Sequence, residues 1–445
     1  MTRSSLNRRQ LVAGLAGTGA IGGVLWSLGT SNANNGSNTD DTRSWAERTS
    51  QGIQAHRTTD LTVEVRNAEG EPVPDATVNV EMQAHEFQFG TAVNAPRLLE
   101  AGNDAYREQL LDLFNTTVLE NKHKWAVWEK DAAVADNATA WLRDHGLAVR
   151  GHAAIWQHLE HDVVPPDVIS RLDEDASDHA AYLKDRIRTH IRDILSTYAG
   201  DINDWDVVNE QLHHSAITDA LAPDVPPEKS PPVADWFRIA AQSAPEADLY
   251  INDYDIVTGT DPEQTAYETL AEYLLDAGAP IDGVGLQAHF DSRSEAVDPR
   301  EFRALLDRYA SQGLSVKVTE YDTTGDDWTE QEEANHLKTV LKTLYSHPAA
   351  EGFLMWGFWD GEHWRNNAPL FRKDWSEKPA YNTYTQLVFE EWWTDDRGET
   401  DTSGRYRTQA FLGDYEISVT VGGESTTMTT SLGDSTSETV EVRLS

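Results

Sequence analysis

No cysteine occurs among the 445 residues, and lysine is scarce, at ten. Without cysteine there is no disulfide framework, thiolate zinc site, iron–sulfur cluster, cysteine nucleophile or lipidated cysteine. Any metal would have to sit on histidines or carboxylates. Lysine and arginine together number 36 against 75 aspartates and glutamates, a formal charge of -39. That charge repels phosphate backbones and anionic lipid surfaces, so no nucleic-acid partner is expected. A glycine-rich phosphate loop and a dinucleotide fingerprint are also missing. His161-Asp162 and His213-His214 have no third partner at ligand spacing, and Asp253-Tyr254-Asp255 lacks the glycine and terminal glutamate of a calcium loop. Neither a metal nor a cofactor is expected.

What is present supports a large core. Hydrophobic residues make up 39 %, with 15 Trp and 14 Tyr, and the length suits one domain of about 250–300 residues with a smaller companion. The acidic residues are spread along the whole chain. An even acidic surface keeps a protein soluble, and it also suits a very salty medium, where screening within about 3 Å removes the self-repulsion. Salt adaptation, and with it an extreme halophile as the source, is the expectation.

The first residues read as an address. Arg8-Arg9 stands directly before a weakly apolar, Gly/Ala-rich stretch from Leu11 to Leu28, followed by small residues near Ser31-Asn32-Ala33. This resembles a twin-arginine export signal, expected over 1–33, with a polar linker over 34–59. The mature protein is expected outside the cell, without a membrane span and as a monomer.

Residues 60–85 alternate apolar and polar around the turn Asn67-Ala68-Glu69-Gly70, and residues 395–445 do the same. Neither piece has enough strands to close a core alone. Together they resemble the two halves of a carboxypeptidase-regulatory or transthyretin-like sandwich, which predicts one split β-sandwich with the large domain inserted in it. Across that insertion, 86–394, eight short apolar runs end at Gly90, Glu120, His152, Glu210, Asp253, His289, Glu320 and near Phe358. Amphipathic stretches such as Asp104–Leu113, Ala132–His145, Ser177–Tyr198, Pro262–Ala277, Pro299–Gln312 and Glu330–Tyr345 alternate with them. The fold class is therefore α/β, a (β/α)8 TIM barrel, whose chemistry sits at the C-terminal ends of the strands.

The polar residues fall at those ends. Trp205 through Glu210 closes the fourth run, and Val316 through Tyr321 carries Glu320 at the end of the seventh. Two carboxyls across one barrel mouth are what glycoside hydrolysis needs: one protonated to assist the leaving oxygen, one ionised to attack or to activate water. Tryptophans suit pyranose faces because they cover C–H surface and leave hydroxyl edges free.

Six ordered segments then carry a resemblance over 86–394. Glu120-Asn121-Lys122-His123-Lys124-Trp125, Arg150-Gly151-His152, Trp205 to Glu210, Gly285-Leu286-Gln287-Ala288-His289, Thr319-Glu320-Tyr321-Asp322 and Trp356-Gly357 through Trp364 resemble the motifs of glycoside hydrolase family 10, the retaining endo-β-1,4-xylanases. The resemblance implies Glu210 as acid/base and Glu320 as nucleophile. It implies that Asn209 holds the sugar 2-hydroxyl and that His289 keeps Glu320 ionised and aimed. Glu120, Asn121, Lys124, His152 and Gln287 would line the glycone subsites, with Trp156, Trp356 and Trp364 as sugar platforms. Three positions depart from the family: Gln157 replaces a second histidine, Tyr321 an aliphatic residue, and His123 an apolar one. Xylan is the expected substrate; cellulose or mixed-linkage glucan, and a non-catalytic glycan-binding protein, are the alternatives.

Overall fold

The structure is a computed structural model describing residues 44–172 and 178–444; the expected export signal lies outside the described residues. Eight parallel strands close a barrel: Gln88–Val93, Thr116–Leu119, Ala148–Gly151, Asp204–Asn209, Asp248–Asp253, Gly283–Leu286, Ser315–Thr323 and Ala350–Met355, here the first to eighth. Closure is direct, with Gly352–Met355 of the eighth paired to Gln88–Thr91 of the first. Strands covered on both faces lose the polar alternation of a surface sheet, so the second, fourth and sixth are buried at every residue. A helix of ten or more residues follows each of the first seven strands and the eight-residue Pro379–Gln386 follows the eighth, and the helices Asp104–Leu113 and Glu330–Tyr345 coincide with the predicted stretches.

Three strand ends differ from expectation, the sixth because it stops at Leu286 and leaves His289 to a separate short strand. The first strand continues past Gly90 to Val93, because this glycine is an interior position: a Cβ there would lie 2.7 Å from Leu354 Cγ. The seventh runs past Glu320 to Thr323, since a short extra strand, His289–Phe290, pairs with Asp322 and Thr323 and prolongs the sheet.

The terminal pieces interleave. Strand Thr58–Arg66 lies between Arg405–Phe411 and Ser437–Arg443, and strand Thr77–His85 lies between Asp395–Glu399 and Gly413–Val421, with Glu424–Leu432 outermost. Each N-terminal strand thus has C-terminal neighbours on both sides. Leu61, Val63 and Val65 from one sheet and Val78, Val80, Ile417 and Val419 from the other form one apolar core. The stretch expected as linker, 34–59, holds a helix over Trp45–His56, started by a capping box of Ser44 with Glu47 and burying Ile53. Arg57, just after it, is buried and donates to the carbonyls of Tyr345, His347 and Ala350 at 2.8, 2.7 and 2.5 Å, joining sandwich to barrel.

Inside the barrel, Arg150 of the third strand bonds Asp204 and Asp206 of the fourth, and Lys317 of the seventh reaches Asp204 at 2.5 Å. The last contact crosses the interior, since the fourth and seventh strands are not neighbours. His152 meets Asp206 at 2.9 Å, so this charge knot also orients a residue of the mouth.

Candidate active site

Glu210 is the first residue beyond the fourth strand, and its backbone is left-handed, at φ 56°. A non-glycine residue persists there only when its surroundings over-determine it. Here its amide donates to Asn252 O at 2.7 Å, pinning the turn to the fifth strand. The side chain then accepts from Gln287 Nε2 at 3.1 Å and Trp156 Nε1 at 2.7 Å. Burial is the main influence on its acidity, reinforced by the charges of Glu320 and Asp253 and opposed by those two donors; the result is pushed up to about 7.

Glu320 has the opposite surroundings. Burial alone would raise it, but the hydrogen bond and charge of His289, the nearby His152 and the amide of Asn252 outweigh burial and hold it below the ordinary carboxylate range. Asn252 Nδ2 donates to Glu320 Oε1 at 2.7 Å, and His289 Nε2 stands 3.2 Å from Oε2. The other ring nitrogen of His289 meets Asp322 at 2.9 Å. Burial lowers the imidazole's pKa, but the two carboxylates overcome it and push it up to about 10, so the ring is a cation donating from both nitrogens at neutral pH. Asn209 joins the halves: its Oδ1 accepts from Asn252 at 2.9 Å and from Gln287 at 3.3 Å. A continuous amide chain therefore connects the two glutamates.

The residues expected to line the glycone subsites come from the loops after the second, third and sixth strands, and the expected platforms Trp356 and Trp364 from the loop after the eighth. Lys124 donates to Asn121 Oδ1 at 3.0 Å and its ammonium lies 4.6 Å from the centre of the Trp156 ring. Burial lowers the pKa of Lys124 and raises that of Glu120, and each of the two groups opposes the other's shift. Trp356 is nearly buried, edge-on to His152 at 5.1 Å. Trp364 is 45 % exposed, anchored by Nε1 to Asp322 at 2.7 Å.

All twelve residues named from the sequence line one cleft of about 530 Å³: Glu120, Asn121, Lys124, His152, Trp156, Asn209, Glu210, Gln287, His289, Glu320, Trp356 and Trp364. Trp156 does more than offer a face, since its indole N–H holds Glu210. The three departures lie outside the cleft. Gln157 accepts from the amides of Ile217 and Thr218 at 2.9 Å, Tyr321 meets His336 at 3.2 Å, and His123 is buried beside Thr139. Sequence reasoning missed Tyr254, His158, His161 and His214, which also line the cleft; the position of Tyr254 directly after a strand end was the available signal.

The profile of glycosyl hydrolase family 10 matches residues 78–387. The anti-sigma-I factor RsgI6 of Acetivibrio thermocellus is 28 % identical over 386 residues, 85 % of this chain and 47 % of that protein. Endo-1,4-beta-xylanase 1 of Arabidopsis thaliana is 27 % identical over 371 residues, 82 % of this chain and 36 % of that protein. The chain thus spans less than half the length of these two relatives. In fold it resembles native xylanase 10B of Thermotoga maritima, with TM-score 0.60 and 22 % identity over 69 % of this chain and 96 % of that one. With the family profile covering most of its length, the chain belongs to glycosyl hydrolase family 10.

Proposed function

We propose that the chain is an endo-acting β-1,4-xylanase that hydrolyses xylan with retention of configuration. The observation that carries this reading is the opposite proton preference of two glutamates lining one cleft, Glu210 pushed up and Glu320 held down. Glu320 attacks the anomeric carbon while Glu210 gives its proton to the departing oxygen, so the glycosidic C–O bond breaks as a glycosyl ester forms. The ester removes the charge of Glu320, one of the influences that raised Glu210, and Glu210 becomes a competent base. It then takes a proton from water, whose oxygen displaces Glu320. Lys124, Asn121 and Glu120 hold the glycone, and Asn209 holds the 2-hydroxyl of the sugar under attack.

Time-resolved product analysis on xylan, carboxymethyl cellulose and lichenan in high salt tests the reading. Release of mixed xylo-oligosaccharides from xylan, ahead of the other two, is expected; release of monomer alone would exclude endo action, and no release from any would favour a glycan-binding protein. We further propose export by the twin-arginine route and adaptation to high salt, on the Arg8-Arg9 pair and the charge of -39. An unfolding midpoint that does not rise with KCl would remove the second of these.

A further inference from the structure

The turn behind Glu210 carries a histidine that the reaction above does not use. Asp253, the last residue of the fifth strand, is fully buried. Its Oδ2 accepts from the amide of Leu212 at 3.0 Å, and its Oδ1 accepts from the amide of Tyr254 at 3.0 Å and faces His213 Nδ1 at 2.8 Å. One carboxylate therefore ties the turn after the fourth strand to the turn after the fifth. The His213 ring lies against that of Tyr254, centroids 3.7 Å apart and planes 19° from parallel. Tyr254 lines the cleft, and His213 backs it.

The position of this stack assigns its side of the cleft. Glu120, Asn121 and Lys124, proposed above to hold the glycone, follow the second strand, whereas Tyr254 follows the fifth, on the other side of Glu210. An acid/base protonates the oxygen of the departing sugar, so that sugar lies on the Tyr254 side. A half-buried tyrosine on a turn is free to rotate about two torsions, and a freely rotating ring is a poor platform. Stacked on an imidazole that is itself held by a buried carboxylate, the ring keeps one face toward the cleft.

We infer that His213 is a positioning residue for the leaving-sugar subsite, holding Tyr254 as the platform on which a neutral pyranose stacks before departure. The inference rests on the hydrolase reading above. It makes binding of the departing sugar depend on His213. The test is steady-state kinetics of His213→Ala and His213→Phe on xylohexaose and on β-xylobiosyl fluoride, whose leaving group is a single atom with nothing to stack. For His213→Ala, KM on xylohexaose should rise about three- to tenfold, the worth of one aromatic pair, with a far smaller change on the fluoride. His213→Phe, which restores a ring without the bond to Asp253, should recover most of the xylohexaose KM. Equal losses on both substrates, an unchanged KM on xylohexaose, or no recovery in the phenylalanine variant would overturn the assignment. Failure of the unsubstituted protein to turn over the fluoride would instead strike the hydrolase reading.

Discussion

Two clusters of buried charge share the strands of this barrel and behave differently. In the interior knot, Arg150 and Lys317 face Asp204 and Asp206, two cations for two anions, all about 1 % exposed. At the mouth, Glu120, Glu210, Glu320 and Asp322 face Lys124 and His289, four carboxyls against two cations. The knot is balanced in charge and holds strands together. The mouth has fewer cations than carboxyls, and burial, reinforced by the charges of Glu320 and Asp253, leaves a proton on Glu210. Proximity of charged groups is common to both; incomplete neutralisation distinguishes the cluster that can move a proton.

The sharpest break of this comparison is at Glu320. Glu320→Ala should lower turnover on xylan by on the order of 10⁴-fold or more without loss of the fold, and added azide should restore turnover on an activated aryl xylobioside. Glu210→Gln should cost about 10²- to 10⁴-fold on xylan and far less on a dinitrophenyl xylobioside, whose leaving group needs no proton. Near-normal xylan hydrolysis by either variant would erase the distinction drawn between the clusters.

On the structural side, Lys317→Met leaves Asp204 facing one cation in the interior, and chemical denaturation should show a loss of about 3–5 kcal/mol. Pairing it with Asp204→Leu should recover much of that, because no unpaired charge then remains. Hydrolysis by the folded fraction should change little, which separates the knot from the mouth.

The smallest effect is the pH profile. Glu210 must carry its proton to act, so kcat/KM on xylan should fall about tenfold per unit above pH 7, the value to which its acidity is pushed. Glu320 must be ionised, and its depressed pKa places the acid limb below the ordinary carboxylate range. The dinitrophenyl substrate should lose the alkaline limb and keep the acid one.

Much of the site is visible along the chain because barrel strands are short and apolar, and a polar residue at the end of such a run has one place to go. Glu120, Asn209, Glu210 and Gln287 are legible in that way, and so are the helices that cover the strands. The linker reading failed over Trp45–His56, where the Ser44 and Glu47 cap was in the sequence but the surface that buries Ile53 was not. Lys317 falls inside an apolar run, and its partner Asp204 lies 113 residues away. The same distance effect hid the donation from Trp156 to Glu210 and the stacking of His213 on Tyr254.

Periodicity and strand-end chemistry by themselves determined the barrel, its open face and the placing of Glu210 and Glu320 at that face, because these depend on contacts a few residues long. Which glutamate keeps a proton is only implied by the family resemblance along the chain; its physical cause lies in the tertiary structure. That outcome depends on burial and on His289, Asn252 and Gln287 arriving from other strands, and the electrostatic effect of a neighbour depends on its distance in space.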